Sequence, residues 1–410
     1  MSGHLAVAWG NARHFRRQTG VLVLFSLCAM LLAVVGLFPG HGLGEGLTAA
    51  VRPFDLLVGR GGSQQMVIST VFLQDYPAGN LPYRLVEELR ADPRVESAVP
   101  LAFGDSHRGY RLIGTEAGIF SWKAARGDPE PWLGFAEGRS FSPGGREAVL
   151  GARAARDLGL KIGDLVVSAH GMAPGGDEHE DSPYRVTGIL ASCRGPYDRA
   201  ILVDIESVWE AHGIPADPGE GSDRRQATVV MVKPAGYVEA YQLAAEFSGR
   251  PDADLVFPAQ AILRLLSLLG QADWLFRAVG LAACLLGSAI LLLSLYWSGL
   301  AREREMETLR LLGAERGDLA LIRFWEGVIA VLPGLIAGSL LGHGLLRLAA
   351  GALESETSLH AATGYSLADL LLFSPPLLAC LAAGGLAAAR LARKSGFAPP
   401  ESAAPPRPSP

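Results

Sequence analysis

Charged residues are scarce in this chain: they make up 19% of 410 residues, against 49% apolar, and mean hydropathy is +0.25. That balance departs from an ordinary soluble domain towards a membrane protein with a sizeable soluble part. There is no basic excess either. A formal net charge of −5 and an isoelectric point near 6.0 give no reason to expect nucleic acid as a partner. Cysteine occurs four times, and Cys28, Cys284 and Cys380 lie inside apolar runs. Only Cys193 falls in the polar middle, so that region holds no internal disulfide. No C-x-x-C or Cys/His finger spacing is present, which argues against a structural zinc fold.

Catalytic signatures are missing as well. The chain has no G-x-x-x-x-G-K-[ST] loop to cradle phosphates, and no G-x-S-x-G, H-E-x-x-H or zinc-deaminase pattern. The expectation is a non-catalytic chain with no catalytic residues and no bound cofactor of its own. Any ATP, with its magnesium, is then handled by a separate subunit.

What is present is a set of long apolar runs. The first, Val21 to Phe38, follows "RHFRRQTG"; a cleavable signal peptide is the rival reading, but its apolar core is usually about 7–15 residues and no clean A-x-A site follows here. Three more runs cover 275–300, 324–348 and 367–391, each able to supply the ~20 residues that cross a bilayer core. The intervening stretch 301–323 cannot be absorbed into one span: a central Arg or Asp costs about 2.5–3.5 kcal/mol, against about 0.3–0.6 gained per Leu. The fold class expected is therefore a four-helix membrane protein with helices at 20–40, 275–300, 324–348 and 367–391.

Orientation follows from short flanks. Arg13, Arg16 and Arg17 precede the first run, five arginines occupy 301–323, and Arg390, Arg393 and Lys394 follow the last. The 349–366 loop holds no Lys or Arg. Both termini and 301–323 are thus expected in the cytoplasm, with 42–274 and the short loop 349–366 outside. Residues 1–19 place Leu5, Ala8, Trp9, Ala12 and Phe15 on roughly one helical face, as an interfacial helix against membrane lipid would. The tail 396–410 is Pro-rich and expected to be disordered.

The outer region reads as an α+β domain. "DLLVGRG", "QMVISTVFL", "YRLIGTE", "LVVSAHG", "YRVTGIL", "AILVDI" and "ATVVMVK" predict strands, while "LPYRLVEELRAD", "REAVLGARAARDLGL" and "AGYVEAYQLAAEF" predict helices. Residues 259–274 space leucines at helical intervals and predict a stalk helix running into the second span.

Two further patterns invite a role. His170, Asp177, Glu178, His179, Glu180 and Asp181 crowd a Gly/Pro-rich stretch; imidazoles and carboxylates suit a borderline ion such as zinc, and the same composition also describes an ordinary solvated loop. Ala330, Gly334, Gly338 and Gly342 recur every four residues in the third run, forming a ridge that lets another helix come close. Pro333, Pro375 and Pro376 predict kinks.

The charged stretch carries the most specific motif. Arg304, Glu305, Met306, Leu309, Arg310, Leu312, Gly313 and Ala314, then Glu326 and Gly327, follow the pattern R-E-aliphatic-x-x-L-R-x-aliphatic-G-A with a later E-G pair. With one span, a large outer domain and three further spans, the chain resembles the membrane subunit of MacB/FtsX/LolC-type ABC transporters, the mechanotransmission class. "REAVLGARAARDLGLKIGD" is similar to a segment of MacB-like periplasmic core domains. Glu315 departs from the pattern, where a small or hydroxyl residue is common.

The resemblance implies a dimer, of two copies or of close paralogues, bound to two copies of an ATP-binding subunit in the bacterial inner membrane. Closure of that subunit would move the outer domain and drive export or extraction of a substrate, with a periplasmic protein as a further partner. Met306, Leu309 and Leu312 would give a docking helix its apolar face, Arg302, Glu305 and Arg310 its charged flank. Gly313 would end that helix and Asp318 would cap the next. The alternatives are an FtsX-like transmitter that activates an extracytoplasmic enzyme, and a zinc-linked permease.

Overall fold

The computed structural model describes residues 2–36, 38–74, 77–171, 182–214, 224–301 and 308–359, with isolated positions 371, 375, 378, 382 and 386. The chain divides into two units: a helical one of residues 1–39, 272–348 and 363–410, and a sheet-based one of 40–271 and 349–362. Helices α1 (Ser2–His14) and α2 (Arg16–Gly36) open the chain, and α3 (Phe38–Val51) leads to the sheet.

In the sheet unit, strands are apolar on both faces where both faces are covered. In β1 (Leu56–Gly59), Leu57 joins one core while Leu56 and Val58 join the opposite one. That is the period-two consequence of the pleat. After α4 (Gly62–Thr70), β2 (Leu81–Pro82) and α5 (Arg84–Ala91), the long β3 (Val95–His107) turns back through β4 (Tyr110–Thr115). Then come β5 (Phe135–Gly138), β6 (Glu147–Leu150), α6 (Ala152–Leu158), β7 (Leu165–Val166), β8 (Ala169–His170) and β9 (Tyr184–Leu190). The unit continues with β10 (Ile201–Asp204), α7 (Ile205–Ala211), β11 (Gln226–Ala227), β12 (Val229–Pro234), α8 (Tyr237–Phe247) and β13 (Asp254–Val256).

The main sheet runs β13-β1-β12-β3-β4-β10-β6-β9-β5, with β7 beside β9 and β8 beside β3. The β10–β4 and β6–β9 pairs are parallel and the rest antiparallel, so the class is mixed α+β. Leu85, Val86 and Leu89 of α5 and Ala240, Leu243 and Phe247 of α8 cover one face. The other face packs against Phe54, Trp122 and Tyr197, and against Ala261 and Ile262 near the start of α9 (Pro258–Ala301).

Two expectations about elements are corrected here. "QMVISTVFL" is not a strand: Gly62–Thr70 is helical, with Met66, Val67 and Thr70 buried at helical spacing and Ser69 Oγ donating to the Gln65 carbonyl at 2.8 Å. Packing of that face overrides the β preference of Val and Ile. "REAVLGARAARDLGL" begins as strand β6 and turns helical only after Gly151.

Among the described residues, two helices are long and apolar enough to cross a membrane: Arg16–Gly36 (mean hydropathy 2.5) and Gly317–Ser355 (1.8); a shorter apolar stretch, Ala278–Ser294, lies within α9. Leu22, Met30 and Val34 of α2, Leu291 of α9 and Ala330, Val331, Leu335 and Leu346 of α10 (Arg316–Thr357) form one apolar cluster. Helix α10 starts within the stretch expected to be a loop, runs through Pro333 and ends beyond Leu348. The run 367–391 and the tail 396–410 fall, but for isolated positions, outside the described residues.

Candidate functional site

Residues 308–326 build a compact polar corner of the helical unit. A helical turn ends at Leu312, where the Gly313 N–H donates to the Arg310 carbonyl (3.0 Å) and the Ala314 N–H to the Leu309 carbonyl (3.1 Å). Gly313 has φ +100°, so this is the left-handed closure that glycine permits without a Cβ penalty. The closure leaves Leu311 and Leu312 in the open, at 89% and 79% exposure. Leu309, Arg310 and Ala314 are half-buried.

Helix α10 begins directly after this turn. Asp318, the residue named to cap this helix, lies in its first turn and reaches back, its Oδ2 accepting from the Glu315 N–H at 2.9 Å. The helix starts earlier than the apolar run because Arg316 and Gly317 already continue it. The second oxygen of Asp318 meets His4 Nε2 of α1 at 2.8 Å. One helical stretch further along each helix, Asn11 Nδ2 donates to Glu326 Oε1 at 2.5 Å, and Arg323 Nη1 donates to Glu326 Oε2 at 2.7 Å. Ala8, between the two polar links, is fully buried. Glu326 is thus held inward, Gly327 is buried beside it, and among the described residues of the motif the exposed part is the leucine turn. Arg302, Arg304, Glu305 and Met306 lie outside the described residues.

Comparison with known proteins covers most of the chain. Residues 23–248 match the MacB-like periplasmic core domain, and residues 277–396 match the FtsX-like permease C-terminal family. The chain belongs to the MacB/FtsX-like ABC transporter permeases. Among solved structures it is similar to the periplasmic region of MacB from Actinobacillus actinomycetemcomitans, at 13% identity and TM-score 0.36, over 53% of this chain and 95% of that one. It is also similar to the extracellular domain of the noncanonic ABC-type transporter YknZ from Gram-positive bacteria, at 14% identity and TM-score 0.31, over 49% and 97%. No curated protein matches the chain. Permeases of the MacB/FtsX-like family sit in the inner membrane, carry a periplasmic domain and are usually non-catalytic.

In this MacB/FtsX-like permease the small-residue ridge of α10 faces α2. A Cβ built on Gly334 would collide with Ser26 Oγ and the Val23 carbonyl; one on Gly338 would meet the Leu27 carbonyl and lie 3.0 Å from Met30 Cβ. At Gly342 the Val34 Cβ would be 2.9 Å away, and Ala330 is itself buried. The two backbones therefore approach as closely as small residues allow.

Of the His/acidic stretch, only His170 is described: it lies on β8, paired across from Asp105 of β3. Asp177, Glu178, His179, Glu180 and Asp181 lie outside the described residues. Sequence reasoning missed His4, Asn11 and Arg323 as partners of Asp318 and Glu326. No local pattern points to them, since His4 and Asp318 are 314 positions apart.

Proposed function

We propose that this permease couples ATP hydrolysis on a separate ATP-binding subunit to motion of its sheet domain, driving export or extraction of a substrate from the periplasm or outer leaflet. In this reading the chain crosses the inner membrane four times with both termini in the cytoplasm and residues 42–274 in the periplasm. Two permease chains, identical or paralogous, engage two ATP-binding subunits.

The observation that carries the reading is the exposed Leu311–Leu312 pair, presented by the Gly313 closure directly before α10. An exposed apolar pair on a rigid turn, flanked by charge, suits insertion into a cleft on a partner. The motif it belongs to is the one that resembles the family's coupling segment, and family membership implies an ATP-binding partner.

The test is co-purification with the cognate ATP-binding chain, together with ATPase activity in reconstituted membranes. Leu312→Asp and Arg310→Glu are expected to weaken capture of that chain and to uncouple its hydrolysis from transport. Wild-type capture and coupling in both variants would overturn the assignment.

A further inference from the structure

Three side chains far apart in sequence converge in the sheet unit at a place the transport reading does not use. The β3–β4 pairing slips between Phe103 and Ser106, so Gly104 and Asp105 form a bulge. Bulges re-aim side chains out of the strand's regular alternation. Here the bulge carries the Asp105 carboxylate, 2% exposed, against His170 Nδ1 at 3.2 Å and His212 Nε2 at 3.7 Å. His212 caps the C-terminal end of α7, which is tied to the sheet by Trp209 Nε1 donating to the Gln226 carbonyl at 2.9 Å. One ligand atom from each of the three residues lies within 4.8 Å of the others.

Two observations indicate what belongs there. First, among the described residues neither Asp105 oxygen receives a hydrogen bond, although both are buried. A buried carboxylate without donors is costly unless a cation compensates it. Arg224 lines the adjacent cavity but makes no ion pair with Asp105 among the described residues. Second, His212 Nδ1 lies 2.7 Å from the Val208 carbonyl, a contact in which Nδ1 donates, and this fixes the ring with Nε2 turned towards Asp105. Metal-ligating histidines characteristically donate their other N–H to such a partner.

We propose that Asp105, His170 and His212 form a binding site for a divalent transition-metal cation of the zinc class. Two imidazoles and one carboxylate are a common ligand set for that ion. Tetrahedral zinc bonds of about 2.0–2.1 Å hold neighbouring donor atoms about 3.4 Å apart, and the two distances to Asp105, 3.2 and 3.7 Å, bracket that value. A cavity of about 230 Å³, lined by Asp105 and His212 together with Asn80, Gln226 and Thr228, adjoins the cluster and leaves room for water as a fourth ligand. The ion would bind β3, β8 and α7 together. The site stands independently of the ATP-binding partner.

The test uses the full-length protein in detergent, stripped with a chelator and titrated with zinc, and separately with cobalt(II), whose visible spectrum reports its ligand field. Saturable binding of one zinc per chain at micromolar or lower concentration is expected, with an intense tetrahedral cobalt spectrum. His212→Ala, at the exposed end of α7, should weaken zinc binding at least about tenfold and abolish the rise in melting temperature that zinc gives the wild type. Asp105→Asn should do the same while raising the melting temperature of the metal-free protein, since it removes an uncompensated buried charge. No saturable binding at micromolar zinc, leaving an imidazolium–carboxylate pair only, would overturn the proposal. So would unchanged affinity in His212→Ala.

Discussion

Placing a single methyl group on Gly334 separates close helix packing from mere glycine content. The ideal Cβ at this position would clash with Ser26 Oγ and the Val23 carbonyl oxygen, and would sit 3.0 Å from the Leu27 amide nitrogen. Two of those three atoms are backbone and cannot rotate aside, so α2 and α10 must separate. At Gly342, where the nearest atom is Val34 Cβ at 2.9 Å, restoring a carbon–carbon separation of about 3.5–4.0 Å already requires roughly 0.6–1.1 Å of movement. Overpacking costs about 1–3 kcal/mol, and unyielding backbone atoms put Gly334→Ala in the upper part, about 2–3 kcal/mol.

Alanine also gains about 0.8–1.0 kcal/mol of helix propensity over glycine. The internal control is Gly344, on the same helix, where an added Cβ meets nothing within 4 Å. Gly344→Ala collects the propensity term alone, so the gap between the two alanine variants isolates the packing term at about 2–3 kcal/mol. The assay is SDS titration of the full-length protein in detergent, followed by far-UV circular dichroism. Equal midpoints for Gly334→Ala and Gly344→Ala would refute the reasoning.

Other expectations follow from single interactions. Arg323→Met leaves Glu326 without its buried cationic partner and should cost about 3–5 kcal/mol, whereas the double change Arg323→Met with Glu326→Leu should recover most of it in the same titration. Arg139 holds the Glu147 carboxyl down to about 2, against an ordinary 4.5. A depressed carboxylate stabilises the fold fully above about pH 4.5 and loses that contribution as pH falls through about 2. Glu147→Gln should therefore melt slightly lower than wild type at neutral pH, and only slightly because Arg139 is largely exposed and screened by solvent. The two curves should converge at the acid end. Burial, followed by the nearby Asp198 carboxylate, raises the Cys193 thiol well above its ordinary range. Its alkylation by N-ethylmaleimide, mapped by mass spectrometry, should be slow at neutral pH until the protein is unfolded.

The Gly313 turn was legible in sequence because its closure is local. Leu309, Arg310, Gly313 and Ala314 complete their hydrogen bonds within six residues, and glycine at the closing position announces the geometry. Strands β4, β9, β10 and β12 were legible for the same reason, as β-branched runs between breakers. Strand β3 was not, since Pro100, Gly104 and Asp105 punctuate its run like a loop. That interruption is the bulge that aims Asp105. The cluster at Asp105, His170 and His212 is scattered over three elements, so only His170 stood out, and it did so for neighbours in the loop rather than for its partners across the ladder. Helix α4 was misread because its β-branched residues are chosen by the core they face, a tertiary fact.

The Asp318 carboxylate has one more consequence. Its two oxygens are committed to different masters: one to the amide that starts α10, the other to the imidazole near the chain's first residues. The start of α10 and the amino-terminal helix α1 therefore share one anchoring carboxylate, so losing it by Asp318→Ala removes both links at once.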